Sequence, residues 1–135
     1  MFKFNDGGRA KYYKGREAGD CVTRAIAIAT GKDYSEVYQD LAIGMKQHDG
    51  KKSARNGVHK SVYHSYLVKN GFKWVPTVKI GTGCKVHLNS QELPEGTLIA
   101  RVSKHLCCVI DGVINDTYDP SRGGSRCVYG YYKKL

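Results

Sequence analysis

The sequence has no run of apolar residues long enough to cross a membrane, since a transmembrane helix needs about 20 in succession. The residues that follow Met1 also lack the apolar segment of a signal peptide. Neither a low-complexity linker nor an internal repeat is present. These absences predict a cytoplasmic protein without a membrane partner, folded as a single domain over residues 1–135 with an extended N-terminal arm at 1–19.

The cysteines lack a metal-binding pattern. The chain has 5 of them, and none falls in a Cys-x-x-Cys motif. Cys107 and Cys108 are adjacent, and Cys84-Lys-Val-His87 supplies only half of a zinc site. We therefore expect no metal and no cofactor, and we expect the cysteines to be mostly reduced.

Acidic residues are scarce. Asp and Glu number 12 against 22 Lys and Arg, which gives a formal net charge of +10. This balance favours acidic partners, including nucleic acid. Because the basic residues are spread along the chain and form no long block, a solvated basic surface is the preferred interpretation. Nucleic acid is thus the less favoured partner.

The hydrophobic periodicity predicts an α+β fold, in which N-terminal helices pack on a C-terminal antiparallel sheet. The predicted helices lie at 20–31, from 33 to an exposed loop at 46–57, and at 58–70. The predicted strands lie at 72–80, 97–103, 105–110, 113–118 and 127–132.

The start of the first helix combines features that activate a thiol. Asp20 is a good N-cap, and Cys21 follows it in the first turn of an alanine-rich helix that Gly31 would end. Unpaired N–H groups and the helix dipole at this end stabilise a thiolate and so lower the pKa of the thiol. Taken alone, a cysteine in such a place is more often a small buried apolar residue.

His105 is the partner that a cysteine nucleophile requires. It opens the strand 105–110, where a side chain at the strand end can face a cleft. An imidazole in this position keeps the pair ionised and protonates the leaving group, and it needs an acceptor that fixes its orientation. We therefore predict Cys21 and His105 as a catalytic pair.

The hairpin after this strand indicates a third member. If residues 111–112 form a two-residue loop, Asp116 faces the same side of the sheet as His105, one diagonal step away. A three-residue loop with a bulge would instead put Asp119 opposite His105. Asp116 is therefore the first choice and Asp119 the reserve.

This order of residues resembles the papain-like cysteine peptidases, including the bacterial double-glycine leader peptidases, over roughly residues 15–132. Asp116-Thr117-Tyr118 is similar to the Asn-Ser-Trp segment of papain relatives, with an acid in place of the amide and Tyr118 covering the contact between histidine and acid. The segments 19–25 and 111–117 also resemble papain-like proteins of phages and bacteria.

The resemblance implies a papain-like fold and a cysteine hydrolase, either a thiol protease or a related amidase, that acts on a peptide, isopeptide or side-chain amide. The backbone N–H of Cys21 would bind the oxyanion. Papain relatives add a Gln shortly before the cysteine, but the residue six positions before Cys21 is Gly15 and no Gln occurs in 1–38. This leaves Asn5, reaching in from the arm, or another backbone N–H as the candidate second donor.

The missing Gln keeps a second class of function open. A basic phage or bacterial binding protein could use an inactive papain-like scaffold to grip a protein or a nucleic acid. The distance between the Cys21 sulfur and the His105 ring discriminates between the two classes, because a catalytic pair must lie within hydrogen-bonding reach.

Overall fold

The computed structural model describes residues 2–11, 20–49, 58–78, 81 and 83–135. Its three α-helices are α1 (Cys21–Thr30), α2 (Tyr34–Asp49) and α3 (Lys60–Lys69). Its strands are β1 (Phe2–Phe4), β2 (Phe72–Pro76), β3 (Thr97–Val102), β4 (His105–Ile110), β5 (Val113–Asp116) and β6 (Gly130–Lys134). The predicted α+β class is confirmed. In these residues no helix is both long and apolar enough to span a membrane.

The strands form one sheet in the order β1-β5-β4-β3-β6-β2. The neighbours from β5 to β2 pair antiparallel, as predicted. β1 pairs parallel with β5, with Phe2 opposite Ile114, so the sheet is mixed. The prediction of an antiparallel sheet is therefore incomplete, because residues 2–4 of the predicted arm add a parallel strand. A three-residue strand whose partner lies more than a hundred positions away has no local periodicity that predicts it.

The helix ends follow local signals. Gly31 ends α1 in the left-handed conformation with φ 74°, and its N–H donates to the carbonyl of Ala27. α2 extends into the predicted 46–57 loop and ends at Asp49, because Lys46 and Gln47 favour helix and no Gly or Pro occurs between Lys46 and Gly50. The remainder of that predicted loop, 50–57, lies outside the described residues.

The two faces of the sheet bury separate apolar clusters. Leu106 and Cys108 of β4 face the helices and pack with Ile26 of α1. Cys107 and Val109 face the other side, where segments between β2 and β6 cover them. Successive side chains of β4 thus point to opposite faces of the sheet, and both faces of the strand are buried. It holds α1 firmly across β4, the two elements that carry the predicted nucleophile and base.

The β4–β5 hairpin has the predicted register. Ile110 pairs with Val113, and Asp111 and Gly112 both have positive φ, 48° and 81°, as a two-residue type I′ loop requires. β5 ends at Asp116, two residues before the predicted end. Asp116 is therefore the last residue of β5, at the point where the chain leaves the sheet.

β6 begins three residues later than predicted, and β2 ends at Pro76, while residues 79–80 of the predicted strand lie outside the described residues. β6 runs between β2 and β3, and a Cβ at Gly130 would approach the Trp74 ring to 2.3 Å. Only glycine fits there. Sequence periodicity misplaced this strand because its last residues, Lys133 and Lys134, are charged and exposed.

Cys84 and Cys127 form a disulfide, with a sequence separation of 43 and their Cα atoms 5.9 Å apart. Cys21, Cys107 and Cys108 are free, which agrees with mostly reduced cysteines. The spacing of the cysteines did not indicate the pairing, because the two residues meet only where the 84–88 segment runs beside the approach to β6. No group of metal-ligating side chains occurs in the described part of the chain.

We expect the denatured protein to show three titratable thiols without reductant and five after reduction, measured with Ellman's reagent. Cys84→Ser should lower the free energy of unfolding by about 2–4 kcal/mol in urea titrations, because the bond closes a long loop. Cys84→Ser combined with Cys127→Ser should cost no more than either single change. Five thiols without reductant would contradict the pairing.

Candidate active site

α1 and β4 bring the predicted pair together. Cys21 opens α1 and is half-buried, and His105 opens β4 and is 9% exposed. The two side chains lie close enough to shift each other's pKa, and both line a cavity of about 450 Å³. The thiol is therefore within reach of a base and of the cavity, as nucleophilic catalysis requires.

Asp116 orients the imidazole. The Nε2 of His105 donates to the Oδ2 of Asp116 at 2.6 Å, in a contact that is buried on both sides. Since Nε2 is engaged, Nδ1 is the ring nitrogen that faces Cys21. The ring of Tyr118 lies 5.4 Å from the ring of His105, centroid to centroid, beside this contact. The arrangement is that of a Cys–His–acid triad.

The reserve residue lies elsewhere. The Oδ1 of Asp119 accepts a hydrogen bond from the N–H of Ser121 at 3.0 Å, in the turn that follows β5. Because the hairpin loop has two residues, the bulged register that would bring Asp119 to His105 does not occur.

Asn5 holds the N-terminal segment against β5. Its Nδ2 donates to the Oδ1 of Asn115 at 3.2 Å, and its own Oδ1 accepts from the N–H of Gly7 at 2.9 Å. Both ends of the amide are thus engaged away from Cys21. Gly15 lies outside the described residues. The N–H of Cys21, at the first position of α1, has no carbonyl partner within its own helix and is the predicted oxyanion donor that the described residues support.

The pKa values of the triad shift toward an ion pair. Burial raises the pKa of Cys21, but the hydrogen bond and charge of His105, together with Arg24, bring it below its ordinary value. Burial lowers the pKa of His105, while hydrogen bonds to Asp116 and Cys21 outweigh it and raise the pKa to about 9. Burial raises the pKa of Asp116, but His105 and Arg24 hold it below its ordinary value. Thiolate, imidazolium and carboxylate are therefore favoured together.

Arg24 connects the nucleophile's helix to the acid. It lies one turn after Cys21 and is 4% exposed. Its Nη1 donates to the Oδ1 of Asp20, and its Nη2 donates to the Oδ1 of Asp116 at 3.3 Å. One buried guanidinium thus contacts both the residue before the nucleophile and the residue that orients the base.

Asp20 is the centre of a second set of contacts. It stands at the N-cap position, but its carboxylate caps no helix N–H, so the prediction of a capping side chain is wrong. The carboxylate instead accepts from Arg24, from the hydroxyl of Tyr34 at 2.7 Å and from Arg9 at 3.2 Å. The guanidinium of Arg24 competes successfully for the carboxylate oxygens because both partners of this ion pair are charged, whereas a helix N–H is a neutral donor.

Sequence reasoning missed Arg24, although a signal exists. Arg24 is the one charged residue within Cys21–Thr30, an otherwise apolar, alanine-rich helix. A charge in such a helix must find a buried partner or lie on an exposed face. Its position one turn after a cysteine and four residues after an aspartate indicates the former.

Comparison with protein-family models, with characterised proteins and with solved structures finds no match for this chain. The geometry of the triad is therefore the basis for its function.

We expect iodoacetamide to modify Cys21 well before the other cysteines at pH 6–7. The pKa of Cys21 is lowered, whereas burial raises the pKa of Cys107 far above its usual range and that of Cys108 to about 12. The rate at Cys21 should rise through a midpoint below that of a free thiol, about 8.5, measured by peptide mass spectrometry across pH. Equal labelling of several cysteines would contradict the assignment.

Arg24→Gln should move the pH midpoint of Cys21 alkylation upward, because it removes a cation that lowers the pKa of the thiol. It should also cost about 3–5 kcal/mol of unfolding free energy, since buried Asp20 and Asp116 lose their shared partner. Arg24→Lys should keep the midpoint of Cys21 alkylation close to its wild-type value, because lysine retains the positive charge.

Arg9→Gln is the matched control for this variant. Arg9 contacts Asp20 but not Asp116, so its loss should leave the alkylation midpoint unchanged. An unchanged midpoint in Arg24→Gln as well would show that the guanidinium has only a structural role.

Proposed function

We propose that the protein is a cysteine hydrolase of papain-like fold that cleaves a peptide, isopeptide or side-chain amide bond. The observation that carries the proposal is that Cys21 and His105 lie together at the wall of a cavity, with His105 hydrogen-bonded to Asp116. A buried thiol without function needs no imidazole oriented by a buried carboxylate. A structural histidine, in turn, gains nothing from a half-exposed thiol beside it.

Each residue has a distinct role in the proposed reaction. The thiolate of Cys21 attacks the carbonyl carbon, and the backbone N–H of Cys21 stabilises the oxyanion that forms. Imidazolium His105 protonates the leaving amine, so that the C–N bond breaks and a thioester remains. Neutral His105 then takes a proton from water, which attacks the thioester and releases the acid and the thiol. Asp116 stabilises the imidazolium throughout.

The papain-like assignment rests on the order of the elements. The nucleophile opens a helix packed across the sheet, the base opens a strand, and the acid lies on the next antiparallel strand. The side chain of Tyr118 beside the His105 ring occupies the place of the aromatic residue of papain relatives. A substrate on the cavity side would meet the thiol and Nδ1 together.

A binding protein on an inactive scaffold is the second candidate. It is favoured by one observation, that the amide of Asn5, the side chain expected to assist the N–H of Cys21 at the oxyanion, is engaged elsewhere. Such a protein would retain the cavity without turnover. A chemical assay of acyl transfer therefore separates the two candidates.

Asp116→Asn should slow acylation of Cys21 by p-nitrophenyl acetate about tenfold, because an amide keeps the geometry but supports the imidazolium less. The rate is measured as the nitrophenol burst in stopped flow. Cys21→Ala should abolish the burst.

Asp119→Asn is the control for the acid, since its carboxylate contacts the Ser121 N–H and not His105. We expect it to leave the burst nearly unchanged. If Asp119→Asn proves more damaging than Asp116→Asn, the triad is assigned wrongly. A wild-type protein without any burst would favour the inactive scaffold.

A further inference from the structure

Three cationic side chains line the cavity beside Cys21 and His105. Lys60 at the start of α3, Arg101 on β3 and Lys104 in the β3–β4 turn border the same cavity as Cys21 and His105. No Asp or Glu is among its described lining residues. None of the three cations has a hydrogen bond or an ion pair from its side chain to a described residue. Their charge therefore acts on whatever enters the cavity.

Arg101 is the best placed of the three. Its backbone pairs with Leu106 on one side and Gly130 on the other, so it belongs to the interior of the sheet. It is only half-exposed, yet its guanidinium has no described partner. A planar guanidinium on a rigid strand matches a carboxylate bidentately. Lys60 and Lys104 are exposed and supply charge with less geometric constraint.

The positive surface continues past the histidine. A second cavity of about 580 Å³ shares Ser103, Lys104 and His105 with the first, and Arg122 and Arg126 line it. Arg126 donates to the carbonyls of Pro120 and Ser103 and so has a structural role. Arg122 has no such contact. The two cavities, called the groove below, share His105 in their linings, and Asp119 is the one acid among the described lining residues of the second.

We propose that the substrate is an acidic peptide, with a Glu or Asp side chain bound by Arg101 within a few residues of the bond that Cys21 attacks. The proposal rests on the hydrolase function. Val22, Val58 and Val102 also line the cavity, and their aliphatic surface suits the backbone and side chains of a peptide. A single-stranded nucleic acid would require exposed aromatic surfaces for successive bases, and Tyr129, 40% exposed, is the one such residue on this cavity's described lining.

The first experiment compares iodoacetate with iodoacetamide at Cys21, at pH 6.5 and low salt. Both reagents lose iodide to the same thiolate, so the ratio of their rates cancels thiol ionisation and reports the charge of the cavity. Arg101→Gln should lower the iodoacetate-to-iodoacetamide ratio about fivefold. High salt should lower it in the wild type as well.

Lys73→Gln is the matched control. Lys73 is exposed on β2, and it lines neither cavity. Lys73→Gln removes the same unit of charge as Arg101→Gln, but not from the lining of either cavity. We therefore expect it to leave the iodoacetate-to-iodoacetamide ratio unchanged. An equal effect of Lys73→Gln and Arg101→Gln would mean that only the net charge acts, which would overturn a local subsite.

The second experiment measures binding to Cys21→Ala by fluorescence anisotropy. The probes are fluorescein-labelled hexapeptides that carry Glu or Gln at each position in turn, and a labelled dT12 oligonucleotide. At least one Glu peptide should bind about tenfold tighter than its Gln counterpart, and Arg101→Gln should remove the difference. Equal binding of Glu and Gln peptides overturns the proposal.

The remaining outcomes separate this inference from the proposed function. If dT12 binds through Arg101 more tightly than every Glu peptide, the groove is a nucleic-acid site and the peptide proposal fails. If neither haloacetyl reagent modifies Cys21, the hydrolase function fails, while the binding data still decide whether an acidic peptide occupies the cavity.

Discussion

The ion pairs of Arg24 are the interaction on which the arrangement of the site depends. A guanidinium 4% exposed has a large desolvation cost, and it is stable here because carboxylates on two different elements accept from it. One is Asp20, directly before the nucleophile, and the other is Asp116, which holds His105. Because removing either partner would leave a buried charge unpaired, α1 and β5 cannot shift relative to each other without breaking the pair. The geometry of the triad is thus fixed by a contact that lies behind it.

The hydrophobic packing makes this arrangement possible. Cys108 and Leu106 face α1 while Cys107 and Val109 face the opposite cluster, so β4 is buried on both sides along its length. The strand reaches the cavity at its first two residues, His105 and Leu106, and of these His105 carries the reactive side chain. A rigid strand with one reactive side chain at its end positions an imidazole better than a loop would.

Local patterns in the sequence predict the three helices, the approximate places of β2 to β6, and the pairing of His105 with Asp116. The Asp-Gly loop determines the register, and the period of two then decides which acid faces the histidine. Local patterns could not reveal the parallel β1–β5 pairing, the Cys84–Cys127 disulfide or the two partners of Arg24, because each joins distant segments. Asp20 is predicted to cap the helix with its side chain for the same reason. Its partner Arg24 is only four residues away in sequence, but the burial that favours the guanidinium over a helix N–H depends on tertiary packing.

The buried charges around the triad compensate one another. Three positive groups balance three negative groups. The positive groups are Arg9, Arg24 and the His105 imidazolium, and the negative groups are Asp20, Asp116 and the Cys21 thiolate. Transfer of the proton from thiol to imidazole leaves this balance unchanged, so the interior does not have to accommodate a new net charge when the nucleophile forms. The transfer needs only local stabilisation, which Asp116 provides at the imidazole, and Arg24 and the N-terminus of α1 provide at the sulfur. The cations Lys60, Arg101 and Lys104 are outside this balanced set. Their field is therefore not neutralised by described side chains and is directed at the cavity, which is the physical basis of the proposal that an acidic peptide binds there.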